Sequence, residues 1–153
     1  MTWTIEARPW DDPSGAALRS AQRAELDARY GTGDHEPGSP PSAADISLFL
    51  VAEEAGRPIA CGALRRLGPT SAEIKRMYVI PARRGSGVAA DVLRALESAA
   101  LSHGWTTLRL ETGPAQPDAM RFYEREGYRE IPLFGPYAGS SLSVCYERAL
   151  VAA

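Results

Sequence analysis

The chain has 153 residues, 44% of them hydrophobic and 24% charged, with 17 basic and 19 acidic side chains and a net charge of −2. That suits one globular domain burying roughly 70% of the surface its unfolded chain exposes, and it argues against a nucleic-acid-binding surface. No apolar run reaches the ~18–20 residues of a membrane span, and residues 1–20 lack a basic start followed by an apolar stretch. Cys61 and Cys145 are too few for a disulfide framework or a zinc site, so a cytoplasmic protein with no membrane partner and no metal is expected.

Thr2–Ala7 alternates polar and apolar residues, a short strand. Ser14 is the expected N-cap of a helix reaching about Ala28, with Ala17, Leu18, Ala21, Ala24, Leu26 and Ala28 as its apolar face. Gly31–Ala43 holds three Gly and three Pro and reads as a long surface loop, suited to one wall of a binding site. Ser47–Glu53 and Pro58–Arg66 read as strands joined by a hairpin turn, and Ala72–Ile80 as a third. After Pro81, a Gly-rich stretch leads into a helix over about Gly87–His103. Val88, Val92, Ala95, Leu96 and Ala99 fall on one face of its 3.6-residue repeat. Trp105–Glu111 is a strand, and Pro117 opens a short helix that Gly127 ends. Tyr128–Ile131 is a short strand, Pro132–Ser141 a turn-rich loop, and Leu142–Leu150 the last strand. The order β, α, loop, β, β, β, α, β, α, β, β describes an α/β fold on a mixed, largely antiparallel sheet, with a crossover through the Gly87–His103 helix.

The sharpest chemical feature is Arg84-Gly85-Ser86-Gly87 between a strand and a helix. Glycines let backbone approach a ligand closely, and a helix start offers free N–H groups and the positive dipole end, so the pattern suits an anion such as phosphate. It is not a Walker loop, because the Gly-Lys-Ser/Thr ending is missing, and it matches the dinucleotide fingerprint poorly. Neither cysteine has an evident histidine partner, so both read as buried small hydrophobes. His35 lies in the Gly/Pro loop, a candidate substrate contact, and His103 ends a helix; two isolated histidines make no metal site.

Three separated segments agree with one another: Glu73–Pro81, the Arg84–Ala89 loop, and Ala119–Tyr128. Together they make the chain resemble the GNAT superfamily of acyl-CoA-dependent N-acetyltransferases, with motifs covering about residues 45–150. The resemblance implies a six- to seven-stranded sheet flanked by helices, with a V-shaped cofactor cleft between the fourth and fifth strands. It implies acetyl-CoA as cosubstrate. Arg84, Gly87 and Ala89 match the family's Q/R-x-x-G-x-G/A motif; slid two residues back, the frame puts Ala82 in the Gln/Arg position. In either frame the backbone from Arg84 through Gly85, Ser86, Gly87 and Val88 to Ala89 is implied to cradle pyrophosphate. Met77, Tyr78 and Val79 match the strand that holds the pantetheine arm. Gln116 stands where the family often has an Asn touching that arm. Tyr123 matches the tyrosine that faces the cofactor sulfur, and Glu73 the acidic position used as a base by Gcn5-like members; other members use a different residue or a water chain.

The chemistry asks for such groups independently. Alkyl amines have a pKa near ~10.4, so a base helps to supply the neutral nucleophile. The thioester carbonyl becomes an oxyanion that a backbone N–H can stabilise, and a Tyr hydroxyl suits the leaving thiolate. Glu111, near the expected splay, is a candidate reader of a cationic group. Phe134-Gly135-Pro136-Tyr137 resembles the loop closing the acceptor pocket in small bacterial members, which makes Phe134 and Tyr137 candidate pocket walls. The expected reaction is direct acetyl transfer to a small primary amine. The rival readings are protein or peptide acetylation and a catalytically silent acyl-CoA sensor. A homodimer is the default assembly, since the last strand is free to extend a partner's sheet.

Overall fold

The computed structural model describes residues 2–151. In chain order the elements are β1 (Trp3–Ala7), α1 (Pro13–Tyr30), β2 (Ile46–Glu54), β3 (Arg57–Arg66), β4 (Ser71–Val79), α2 (Val88–Ser102), β5 (Thr107–Thr112), α3 (Pro117–Arg125), β6 (Arg129–Ile131) and β7 (Val144–Ala149). They build one seven-stranded sheet in the order β1-β2-β3-β4-β5-β7-β6. Only β4 and β5 run parallel, with α2 as the crossover between them.

Both sheet faces are covered. On one, Val88, Val92, Leu93 and Leu96 of α2 pack on Leu50, Ile59, Leu64, Ile74, Leu108 and Leu110. Burying each such side chain contributes about 1.5–3 kcal/mol. On the other, Leu18 of α1 joins Phe49, Val51, Cys61, Ala63 and Tyr78. Of the apolar face expected on α1, Leu18 alone is buried; Ala17, Ala21, Ala24 and Ala28 face solvent. Alanine favours helix without demanding burial, so its spacing was a weak guide to the packed face.

The helix ends also differ from expectation. Asp12, not Ser14, caps α1: its carboxylate accepts from the Gly15 N–H at 3.2 Å, and Pro13 takes the first turn. The helix runs on to Tyr30, where Gly31 in the left-handed region (φ 73°) closes it. The last strand starts at Val144, opposite Thr112, where β5 ends; just before it the Ser143 hydroxyl engages Glu111 and Ser140, at 2.8 and 2.9 Å.

Both cysteines are fully buried and unpaired by disulfide. Cys61 does more than fill space: its thiol donates to the Arg76 carbonyl at 3.2 Å. Burial pushes the Cys61 thiol up to about 12. Neither cysteine should react with a thiol reagent until the protein unfolds; titration with and without denaturant checks this, and fast native labelling would mean the core opens.

Candidate active site

The cleft originates in β4. Its pairing with β3 matches Ala63 to Lys75 but Cys61 to Tyr78, so β4 carries one extra residue opposite Gly62. Arg76 takes up that extra length in the left-handed region, φ 58°, which is unfavourable for a residue with a Cβ. Gly62 makes room: a Cβ there would lie 2.6 Å from the Met77 sulfur and 3.0 Å from Leu96. The bulge also shifts the alternation by one. Glu73 and Lys75 precede it on the α1 face, and Tyr78 follows on that same face.

Past Ile74, paired with Leu110, β4 and β5 no longer pair. β4 stays with β3 as far as Val79, while β5 follows β7 as far as Thr112. Two cavities fill the opening. The larger, about 350 Å³, runs from Met77 and Val79 to Arg84, Gly85, Gly87 and Ala89 at the start of α2. The smaller, about 100 Å³, lies toward Tyr30, His35, Glu36, Lys75 and Glu111. Gln22, Leu26, Met77, Gln116, Ala119 and Tyr123 line both, so the two meet there.

At the outer end of the larger cavity, Gly85 and Gly87 adopt φ 78° and 94°, and the Ser86 hydroxyl accepts from the first amide of α2, Val88 N–H, at 3.3 Å. A Cβ built on either glycine meets nothing, so the turn is open toward solvent. The first-turn amides of α2 lack intrahelical acceptors. This is a cradle for an anion, and it fits a pyrophosphate. Arg84 turns its side chain to Val79 O and to Glu25, at 3.1 and 2.6 Å.

At the junction, the Tyr123 ring is buried between Phe122 and Tyr128 with edge contacts at 5.1 and 5.8 Å. Burial raises its hydroxyl above the ordinary phenol range, so it keeps its proton. Glu111, directly beyond the last β4–β5 pair, accepts from Ser143 at 2.8 Å. Burial, reinforced by the Glu36 and Glu73 charges against the Ser143 hydrogen bond, raises its carboxyl to about 7. Glu36 goes the other way. Burial alone would raise it, but the hydrogen bonds and charges of Arg76 and Lys75 outweigh that and hold it at about 2. Arg76 grips it with both Nη atoms, at 3.0 and 2.9 Å, and so ties the 31–43 loop to the bulge.

A model of the acetyltransferase (GNAT) family matches residues 10–128. The chain belongs to the GNAT acetyltransferase family. An IAA acetyltransferase of Azospirillum brasilense is 35% identical over 103 residues, 67% of each chain. A Klebsiella pneumoniae structure described as an acyl-CoA N-acyltransferase superposes with TM-score 0.82 at 33% identity, covering 97% of this chain and 98% of that one. An Elizabethkingia anophelis GNAT acetyltransferase with acetyl-CoA bound shares the fold, with TM-score 0.71 at 15% identity over 97% and 99% of the two chains. The sheet with its β4–β5 opening is thus the GNAT fold, as the sequence motifs implied.

Of the residues singled out in this GNAT sequence, Met77, Tyr78, Val79, Arg84, Gly85, Gly87, Ala89, Gln116 and Tyr123 line the larger cavity. Ser86 and Val88 do not: the Ser86 hydroxyl accepts from the Val88 N–H, and the Val88 side chain is in the core. His35 and Glu111 line the smaller cavity. His35 stacks on Tyr30 at 4.9 Å and bonds Asp27 at 2.8 Å. Glu73, Phe134 and Tyr137 line neither cavity. Glu73 is 1% exposed, accepting from Tyr137 at 2.5 Å and Arg65 at 3.1 Å. Tyr137 stands behind Lys75, whose Nζ donates to it at 2.9 Å.

Arg19, Gln22, Tyr30, Glu36, Lys75 and Arg76 also face the smaller cavity, and sequence reasoning did not single them out for it. One signal was present: residues 19, 22, 23, 26 and 30 follow an i, i+3, i+4, i+7, i+11 pattern, a single helical face. Glu36 had none, since its role depends on a residue 40 positions away. Gly113, following β5, is another such position. A Cβ there would overlap the Leu142 carbonyl and the Tyr30 hydroxyl. Gly113→Ala should cost about 1–3 kcal/mol, read as a lowered urea midpoint at unchanged slope.

Proposed function

We propose that the protein is an acetyl-CoA-dependent N-acetyltransferase acting on a small primary amine by direct attack in a ternary complex. The observation that carries this is the meeting of the two cavities at Tyr123, with the anion cradle at the far end of one and Glu111 in the other. Acetyl-CoA supplies the activated thioester carbonyl. The α2 turn holds its pyrophosphate, and the unpaired edge of β4 from Lys75 to Val79 offers backbone groups to the pantetheine arm and an N–H to the oxyanion. Glu111 accepts the proton of the ammonium or of the attacking amine, its carboxyl near 7 being matched to that task. Tyr123 donates its proton to the departing sulfur. The buried cysteines offer no nucleophile, which supports transfer without an acyl-enzyme.

Glu73 is proposed as a positioning group, holding Tyr137 and, through it, Lys75. The small volume of the acceptor cavity, about 100 Å³, supports a small acceptor over a peptide. Release of coenzyme A thiol with a panel of amines, amino acids, aminoglycosides and short peptides tests the reading. Turnover with a small amine is expected. Binding of acetyl-CoA without turnover of any acceptor would favour a sensor.

A further inference from the structure

The acceptor cavity is electrically lopsided. Arg19, Arg23, Lys75 and Arg76 line it, against Glu36 and Glu111. Glu36 serves Lys75 and Arg76 together, at 2.5 Å and 2.9 Å, and Lys75 also has Glu73 at 3.7 Å. Arg23 pairs with Asp27 on its own helix at 3.3 Å. Glu111 bonds a neutral hydroxyl and holds its proton up to about 7. Among the described residues, Arg19 has no carboxylate in ion-pair range. Its Nη1 donates to the Trp10 carbonyl at 2.5 Å, and its guanidinium lies 3.7 Å over the Trp10 ring, with Phe49 beyond. The stacking fixes the fork in place, and among the described residues its other N–H donors have no acceptor.

A second observation points to a polar ligand in the same cavity. Thr112 and Gln22 both line the cavity, and the Thr112 hydroxyl and Gln22 Oε1 are buried with no hydrogen-bond partner among the described residues. Thr112 itself is 3% exposed. Orphaned buried polar atoms are rare and costly unless something fills the site. Leu26, Met77 and Ala119 supply little beyond a short apolar stem.

We infer that the acceptor is an amine that also carries a carboxylate, such as a free amino acid, with the Arg19 guanidinium receiving the carboxylate. This rests on the acetyltransferase reading above. The amine then lies toward Glu111 and the Tyr123 junction, and Thr112 and Gln22 are left to hydrogen-bond the polar atoms between. Polyamines and lysine-rich peptides meet uncompensated positive charge and are disfavoured.

The test compares amino acids (glycine, alanine, aspartate and glutamate) with their α-amides, the corresponding simple amines, spermidine and a lysine peptide, using thiol release at saturating acetyl-CoA. At least one amino acid should show kcat/KM about tenfold to a hundredfold above its amide. R19Q should erase that preference and R19K should retain part of it. Preference for the amide, for spermidine or for the lysine peptide would overturn the inference, as would R19Q lowering acid and amide alike. Should acetyl-CoA bind yet no amine be consumed, the transferase reading fails, and the anion site is judged by binding. A rise in Tm of the coenzyme A-saturated protein with an amino acid, absent in R19Q, would sustain the site; no rise in either would remove it.

Discussion

Tyr123→Phe should lower kcat by roughly 10²–10⁴-fold while leaving the Kd for acetyl-CoA within about twofold. The phenylalanine ring keeps the packing against Phe122 and Tyr128, and no protein group loses a partner, because no hydrogen bond ties the hydroxyl among the described residues. Thermal stability should therefore change little, since Tyr123 opens on both cavities and the substitution leaves no protein group without a partner. Stopped-flow thiol release beside calorimetric titration of acetyl-CoA separates the outcomes. Parallel loss of turnover, affinity and Tm would make the tyrosine a packing residue. Unchanged turnover would mean that another group protonates the sulfur.

Glu111→Gln should remove the acidic limb of the pH–rate profile. With its carboxyl near 7, wild-type kcat/KM should rise with pH through that value as the base loses its proton, then level off. The glutamine still accepts from Ser143 but cannot take a proton, so activity should fall about 10²-fold or more at pH 8 with no inflection near 7. Stability supplies an independent readout. The carboxyl binds its proton more tightly folded, at about 7, than unfolded, at about 4.5. Between those values the native state holds more protons, so wild-type stability falls as pH rises. E111Q should flatten that slope and melt higher than wild type at pH 8. Glu73→Gln, in the buried Tyr137–Arg65 cluster, should keep the acidic limb but move it to somewhat lower pH, because the Glu73 charge helps to raise the Glu111 carboxyl. Should E73Q abolish the limb and E111Q preserve it, the base assignment would be reversed.

These contrasts mark what could be read in the chain beforehand. The Arg84–Ala89 turn, the Val88–Val92–Leu96 face and the tyrosine four residues before Gly127 are local patterns, each within a dozen residues. A turn glycine, a helical repeat and a helix stop depend on neighbouring backbone and side-chain sterics, so composition and spacing gave the element order and the anion-cradle pattern, while Tyr123 came from the family resemblance. Glu73 shows where such reasoning ends. Its strand and facing were legible, but its surroundings were not: Arg65 comes from the partner strand and Tyr137 from a loop 64 residues later.

The acceptor side is almost entirely of this second kind. The Arg76 bulge exists because β3 and β4 pair with unequal lengths opposite Gly62, and a strand pattern records alternation but not the register of its neighbour. Glu36 becomes part of the site only once the 31–43 loop folds onto that bulge. Likewise, Arg19 and Glu111 face one cavity because α1 packs across the point where β4 and β5 part. The sequence by itself determined the family fold and the Gly-rich turn at one end of the cleft, where local backbone geometry sets the shape. Tertiary structure alone decided which charges meet at the acceptor end, because burial and pairing between residues far apart in the chain set both their positions and their protonation.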